Sequence, residues 1–155
     1  MTHKQDAIPQ IAILLGYSGA SPFVALAILS ILFEEPFFME GLIVYAAIIL
    51  SFLGGIYWGA AMKNLSQNEF TASLKTDLSI SVTPALLAWG ILVIKNLKVA
   101  IIFLSVGFLA QLIVDVVATK NGYFPHWYNA LRIPLTAIVL LCLIVAYIYY
   151  EPLQI

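Results

Sequence analysis

From Ala7 to Phe33 the chain carries no charged residue. A helix needs about 20 consecutive apolar residues to cross the hydrocarbon core of a bilayer, and this run is longer than that. Four more apolar runs follow, separated by short polar stretches that contain most of the charge. A soluble domain averages about 25% charged residues. Here 63% of residues are hydrophobic and 10% charged, with a mean hydropathy of +1.01. Too few charges remain to cover a core in water; lipid as the solvent removes that difficulty. The expected fold is all-α, a polytopic membrane helix bundle of about five transmembrane helices. It forms a single membrane-embedded domain over residues 1–155, with spans near 8–33, 41–62, 78–94, 99–119 and 133–150.

The first span is interrupted by Gly16, Ser18-Gly19 and Ser21-Pro22. Pro22 removes a backbone donor and disfavours helix at Ser21, so a break or a kink is expected there. A break would free backbone groups to bind something polar. Ile8 to Gly16 followed by Ser18-Gly19-Ala20 also has the outline of a cleavable leader. Asp6 and the continuing apolar run argue against cleavage. In the second span Ala47, Ser51, Gly55 and Gly59 recur at four-residue steps and share one helix face. Small residues allow close backbone approach where no hydrophobic effect draws helices together, so this face is expected to be a helix-packing seam. The segment from Lys63 to Asp77 is polar and long enough for a short surface helix. In the third span Pro84 either opens or kinks the helix, and Pro134 is expected to open the fifth. Between them Lys120-Asn121-Gly122 is a helix terminus with glycine at the cap, and Tyr123 to Arg132 reads as an aromatic loop.

With five spans, one side of the membrane carries Lys4, Lys63, Lys75, Lys120 and Arg132. The other carries Lys95 and Lys98 together with Glu34, Glu35, Glu40 and Glu151. Cytoplasmic loops are enriched in Lys and Arg, which places the N-terminus inside and the C-terminus outside.

One acid lies inside an apolar run. Asp115 shares a helix face with Gly107, Gln111 and Thr119, again at four-residue steps. A carboxylate at membrane depth costs several kcal/mol unless it is paired, neutralised or near water, so this face must turn toward other helices. The candidate polar site is Asp115 with Gln111, Arg132, Trp127, Tyr128 and His126. Arg132 is the first choice of partner, because a guanidinium can hold a carboxylate through two parallel hydrogen bonds. The plain reading is that Asp115 pins the loop from Gly122 to Arg132 against the bundle; a proton or cation site, or a head-group contact, are the alternatives. His126 has no second His or Cys at ligand spacing, so no metal site and no cofactor are expected. Phosphate-loop and nucleophile motifs are absent from the sequence, and a formal net charge of -1 gives no reason to expect nucleic acid. Cys142 lies in an apolar run and reads as a small buried hydrophobe.

Several pieces in order along the chain carry a resemblance. They are Pro9 with Gly16, Pro22-Phe23, Ser51-Phe52-Leu53-Gly54-Gly55 with Trp58-Gly59, Ala88-Trp89, Gly107-Phe108 with Asp115, and Pro125 to Arg132 with Leu135-Thr136. In these the chain resembles a family of small multi-pass membrane proteins known as domain of unknown function 3429, found in bacteria and with a mitochondrial relative. The resemblance implies a bacterial inner-membrane setting, or a mitochondrial inner-membrane one, and brings no catalytic residue. Three classes of function follow from the residues. The first is a non-enzymatic accessory, assembly or structural component that meets membrane lipids and a membrane-protein partner or a second copy of itself. The second is a small transporter or channel with Asp115 near the pathway. The third is a membrane enzyme acting on lipid or quinone, for which Asp115 or His126 would have to supply the base.

Overall fold

A computed structural model describes residues 7–33, 35–64 and 72–150. It is all-helical over these residues: α1 (Gln10–Leu32), α2 (Pro36–Asn64), α3 (Ala72–Leu92), α4 (Leu97–Lys120) and α5 (Trp127–Tyr149). Four of them, α1, α2, α4 and α5, are long and apolar enough to cross a membrane. The exception is α3, whose first turns carry Lys75 and Asp77. Its length, about 30 Å at 1.5 Å per residue, still carries it past the same depth of bundle as its neighbours. Near its start Asp77 meets Tyr57 late in α2, and near its end Ile91 and Leu92 lie beside Glu40 and Ile43 early in α2.

The contacts fix an alternating arrangement. Gly16 of α1 packs on Leu131 and Leu135 of α5, so these two helices start at one end of the bundle and run parallel. At the opposite end Lys98, early in α4, lies over the ring of Tyr147, late in α5, at 5.5 Å. The turn from α2 to α3 and the turn from α4 to α5 therefore share an end with the start of α1. The core is apolar and interhelical, with Phe23, Leu42, Leu50, Leu104, Phe108 and Leu143 fully buried. Edge-to-face contacts of Phe23 with Tyr45 and Phe108 join α1 to α2 and α4.

Proline positions differ from the sequence reading in an instructive way. Of the two expectations at Pro22, the break does not occur, because α1 continues through it. Proline cannot donate to the carbonyl four residues back, which is that of Ser18. The Ser21 hydroxyl donates to that oxygen instead, at 2.7 Å, and Tyr45 Oη donates to the neighbouring Gly19 carbonyl at 2.8 Å. With these acceptors satisfied inside the protein, a helix can carry proline at membrane depth. Pro84 and Pro134 likewise lie inside α3 and α5 rather than at their starts. As a result α3 begins at Ala72, and α5 begins at Trp127, within the stretch expected to be loop. Of the polar segment from Lys63 to Asp77, where a short surface helix was expected, residues 65–71 lie outside the described residues and the rest belongs to the end of α2 and the start of α3; Lys4, Glu34 and Glu151, all counted for orientation, also lie outside them.

The expected packing seam is displaced by one residue. Ala47 is buried and Ser51 half-buried, but Gly55 and Gly59 are exposed, and a methyl group added at either meets no described atom within 4 Å. The close approach is made by Gly54. A Cβ there would strike the backbone carbonyl oxygen of Ser81 and lie 3.2 Å from the Pro84 ring. The working face of α2 is Ala46, Leu50, Leu53, Gly54, Tyr57 and Ala61, all buried. Gly54→Ala should therefore lower the thermal unfolding midpoint of the detergent-purified protein, by the equivalent of about 1–3 kcal/mol, since overpacking against backbone has no soft neighbour to displace. Gly55→Ala should leave the midpoint unchanged or raise it, alanine being favoured by about 1 kcal/mol in helices. Equal losses in the two variants would contradict this placement of the interface.

Candidate functional site

The inner face of α4 is the one expected from its spacing. Gly107, Gln111, Asp115 and Thr119 are all buried, and Asp115 is 1% exposed. The helix starts from Asn96, whose side chain accepts a hydrogen bond from the Val99 N–H at 3.1 Å. It stops at Gly122, the described glycine with positive φ, at 81°. The Tyr123 N–H donates to the Ala118 carbonyl and the Gly122 N–H to that of Thr119. This is the paired closure that a left-handed glycine allows at a helix end. It turns the chain back at once, so that α5 descends alongside the α4 face that carries Asp115.

Both carboxylate oxygens of Asp115 are occupied. Arg132 Nε donates to Oδ2 at 2.7 Å, and Gln111 Nε2 donates to Oδ1 at 3.0 Å. The side chain expected to partner Asp115 does so, but through one bond rather than the two-pronged fork. Gln111 lies one turn away on the same helix and holds the second oxygen. Arg132 is itself 7% exposed, so the pair is closed off on both sides. One turn along α4, Thr119 Oγ1 lies 2.9 Å from the Asp115 carbonyl and 3.0 Å from the Asn129 side-chain amide. A hydroxyl has one hydrogen to give. It is shared between two acceptors, the Asp115 carbonyl and Asn129 Oδ1. The result is a second tie between α4 and α5.

A third tie was not foreseen. The carboxylate of Asp77 in α3 accepts from Tyr123 Oη at 2.7 Å and from Tyr57 Oη at 3.2 Å. The two tyrosine rings stack with centroids 5.8 Å apart and planes 12° from parallel. The α4–α5 turn is thereby fixed to α2 and α3 as well. The sequence signal for it was faint: two tyrosines and an acid that the alternating topology places at one end of the bundle.

The other site residues divide. Tyr128 is half-buried, its ring stacked on Phe124 at 4.5 Å. Trp127 is half-buried at the start of α5, and His126 is exposed at the cap position with no side-chain hydrogen bond to the helix. Neither joins the Asp115 pair. Among the described residues no three His, Cys, Asp or Glu side chains converge as metal ligands would. Beside the ion pair lies a cavity of about 300 Å³ between α1, α2, α4 and α5. Arg132, Tyr128 and Thr136 are its polar lining, and Gly19, Phe23, Phe52 and Phe108 are among its apolar walls. Among the described residues three buried side-chain polar atoms have no hydrogen-bond partner, and they belong to these same residues: Arg132 Nη2, Tyr128 Oη and Thr136 Oγ1.

Breaking a buried ion pair from one side leaves an uncompensated charge and costs about 3–5 kcal/mol. Asp115→Asn and Arg132→Met should each produce a loss of that order in unfolding experiments in detergent. The double variant should recover more than half of it, because no charge is then left buried. Additive losses would show that the two side chains do not interact.

The sequence matches the family described as "Protein of unknown function (DUF3429)" over residues 8–148. It is similar to Transmembrane protein 69 of Xenopus tropicalis, 33% identical over 141 residues, covering 88% of this chain and 53% of that protein. It is also similar to Transmembrane protein 69 of Mus musculus, 30% identical over 151 residues, covering 96% of this chain and 59% of the mouse protein. The chain thus spans between half and three-fifths of the length of these relatives. No solved structure matches it. The matched region runs from the start of α1 to the end of α5 and takes in the Asp115–Arg132 pair, and the chain belongs to this DUF3429 family of unknown function.

Proposed function

We propose that this multi-pass membrane protein is a non-enzymatic accessory, assembly or structural component, working through association in the bilayer. The observation that carries the reading is the state of Asp115. Its two oxygens are committed to Gln111 and Arg132, and its charge is balanced within the bundle. A general base must be reachable by a substrate proton, and an ion site needs oxygens that an ion can approach; at 1% exposure Asp115 offers neither. A carboxylate tied in this way fastens α4 to α5.

The proposed setting is a bacterial cytoplasmic (inner) membrane, with the N-terminus inside and the C-terminus outside. Lys63, Lys75 and Lys120 lie toward the end of the bundle where α1 starts, and Lys95 and Lys98 toward the other, with Glu35 and Glu40. Arg132, buried in its ion pair, no longer counts as a loop cation, and the remaining lysines still favour this orientation. Five crossings, with α3 as the most polar of them, are part of the same proposal.

A transporter with Asp115 near the pathway is the second reading, favoured by the cavity that adjoins Arg132. Extraction of native membranes in mild detergent separates the two. The accessory reading expects the chain in a stoichiometric particle larger than its monomer, retained in the Asp115→Asn/Arg132→Met variant. Recovery as a lone monomer, with proteoliposome flux abolished in that stable double variant, would establish the transporter instead. Orientation is tested on a Cys142→Ser background with single cysteines. A membrane-impermeant maleimide should label Lys95→Cys in intact spheroplasts and Lys120→Cys only after lysis; the reverse pattern would invert the topology.

A further inference from the structure

We propose that the cavity between α1, α2, α4 and α5 is a binding site for the acyl-ester region of a membrane diacyl lipid. The proposal stands on the three buried polar atoms and their company. Arg132 Nη2, Tyr128 Oη and Thr136 Oγ1 lack partners, and their residues line one cavity whose remaining walls are apolar. Polar atoms left unpaired in an interior are costly, and three residues that carry such atoms, gathered around one apolar cavity, are the composition of a ligand site. Arg132 can only donate, and the two hydroxyls can do so. The missing partner is therefore an acceptor oxygen.

Charge narrows the acceptor. Arg132 is already neutralised by Asp115 at 2.7 Å, so an incoming carboxylate would leave a net negative charge buried, which is strongly disfavoured. A neutral carbonyl brings no such charge. Depth narrows it further. Arg132 and Thr136 lie five and nine residues from the start of α5 at Trp127, about 7 and 13 Å along the helix. With Trp127 placed at the membrane surface, these positions lie below it, near where ester carbonyls give way to acyl chains. Access fits as well. Leu15 and Phe52 line the cavity and are exposed on the outside of the bundle, so the cavity opens sideways toward hydrocarbon. Its volume of about 300 Å³ is at the lower end of small-molecule sites, room for an ester group and the upper part of one chain. Gly19 lines it too, and a Cβ at that position meets no described atom within 4 Å. The glycine leaves space that a side chain would fill.

The test is native mass spectrometry of the full-length chain purified in mild detergent and offered phosphatidylethanolamine in diester form, its dialkyl-ether analogue with the same head group and chain length, or oleate. The diester should be retained at least tenfold better than the diether, which has the chains without the carbonyls, and better than oleate. Thr136→Val and Tyr128→Phe should each reduce diester retention several-fold without lowering the unfolding midpoint of the lipid-free protein. Gly19→Leu should abolish retention of both lipids. Equal retention of diester and diether by the unsubstituted chain, retention of neither, or preference for oleate would each overturn the proposal, whether or not the variants fold.

Discussion

A carboxylate and a guanidinium held together inside a bundle of mostly apolar helices set the terms for the rest of this molecule. Neither charge is tolerable alone at that depth, and each is made tolerable by the other's position. The pair requires α4 to present one particular face inward and α5 to lie beside it in one register. The helix end at Gly122 and the ties at Asn129 and Asp77 serve that requirement. A buried ion pair is weak evidence for net stability, since apolar replacements often match it. Its effect here is on uniqueness: helices sliding past one another by a turn would separate the charges.

The same rule of internal satisfaction explains the prolines. In water a helix interrupted by proline can turn its freed carbonyl to solvent. In hydrocarbon the choice is between breaking the helix and supplying a donor from within, and α1 does the latter with Ser21 and Tyr45. The short polar residues beside Pro22 looked like the makings of a break or a kink. They are the groups that allow the helix to continue.

What could be read from the sequence follows from how strong each constraint is. The inward face of α4 and the choice of Arg132 were legible, because a charge in an apolar run leaves so few solutions. The exact helix starts were not. Pro84 was read as opening or kinking its helix and Pro134 as opening its own, on rules drawn from aqueous helices, yet both sit well inside. The register of α2 was missed by one residue because two faces that carry small residues adjoin in it, Ala47-Ser51-Gly55-Gly59 and the one with Ala46 and Gly54 on either side of Leu50. Spacing alone does not say which of them meets a neighbour. The contact of Asp77 with Tyr57 and Tyr123 joins residues 20 and 46 positions apart; only the assembled topology brings them together.

The partners of the central ion pair are 17 residues apart and sit on successive helices. During insertion α4 arrives at the bilayer ahead of the helix that carries Arg132. For that interval its acid has no counter-charge, a penalty of about 2.5–3.5 kcal/mol against lateral release into lipid. Such a helix is released most easily together with the one that follows it. The last two helices of this bundle are thus built to leave the insertion machinery as a hairpin, already neutral when it first meets hydrocarbon.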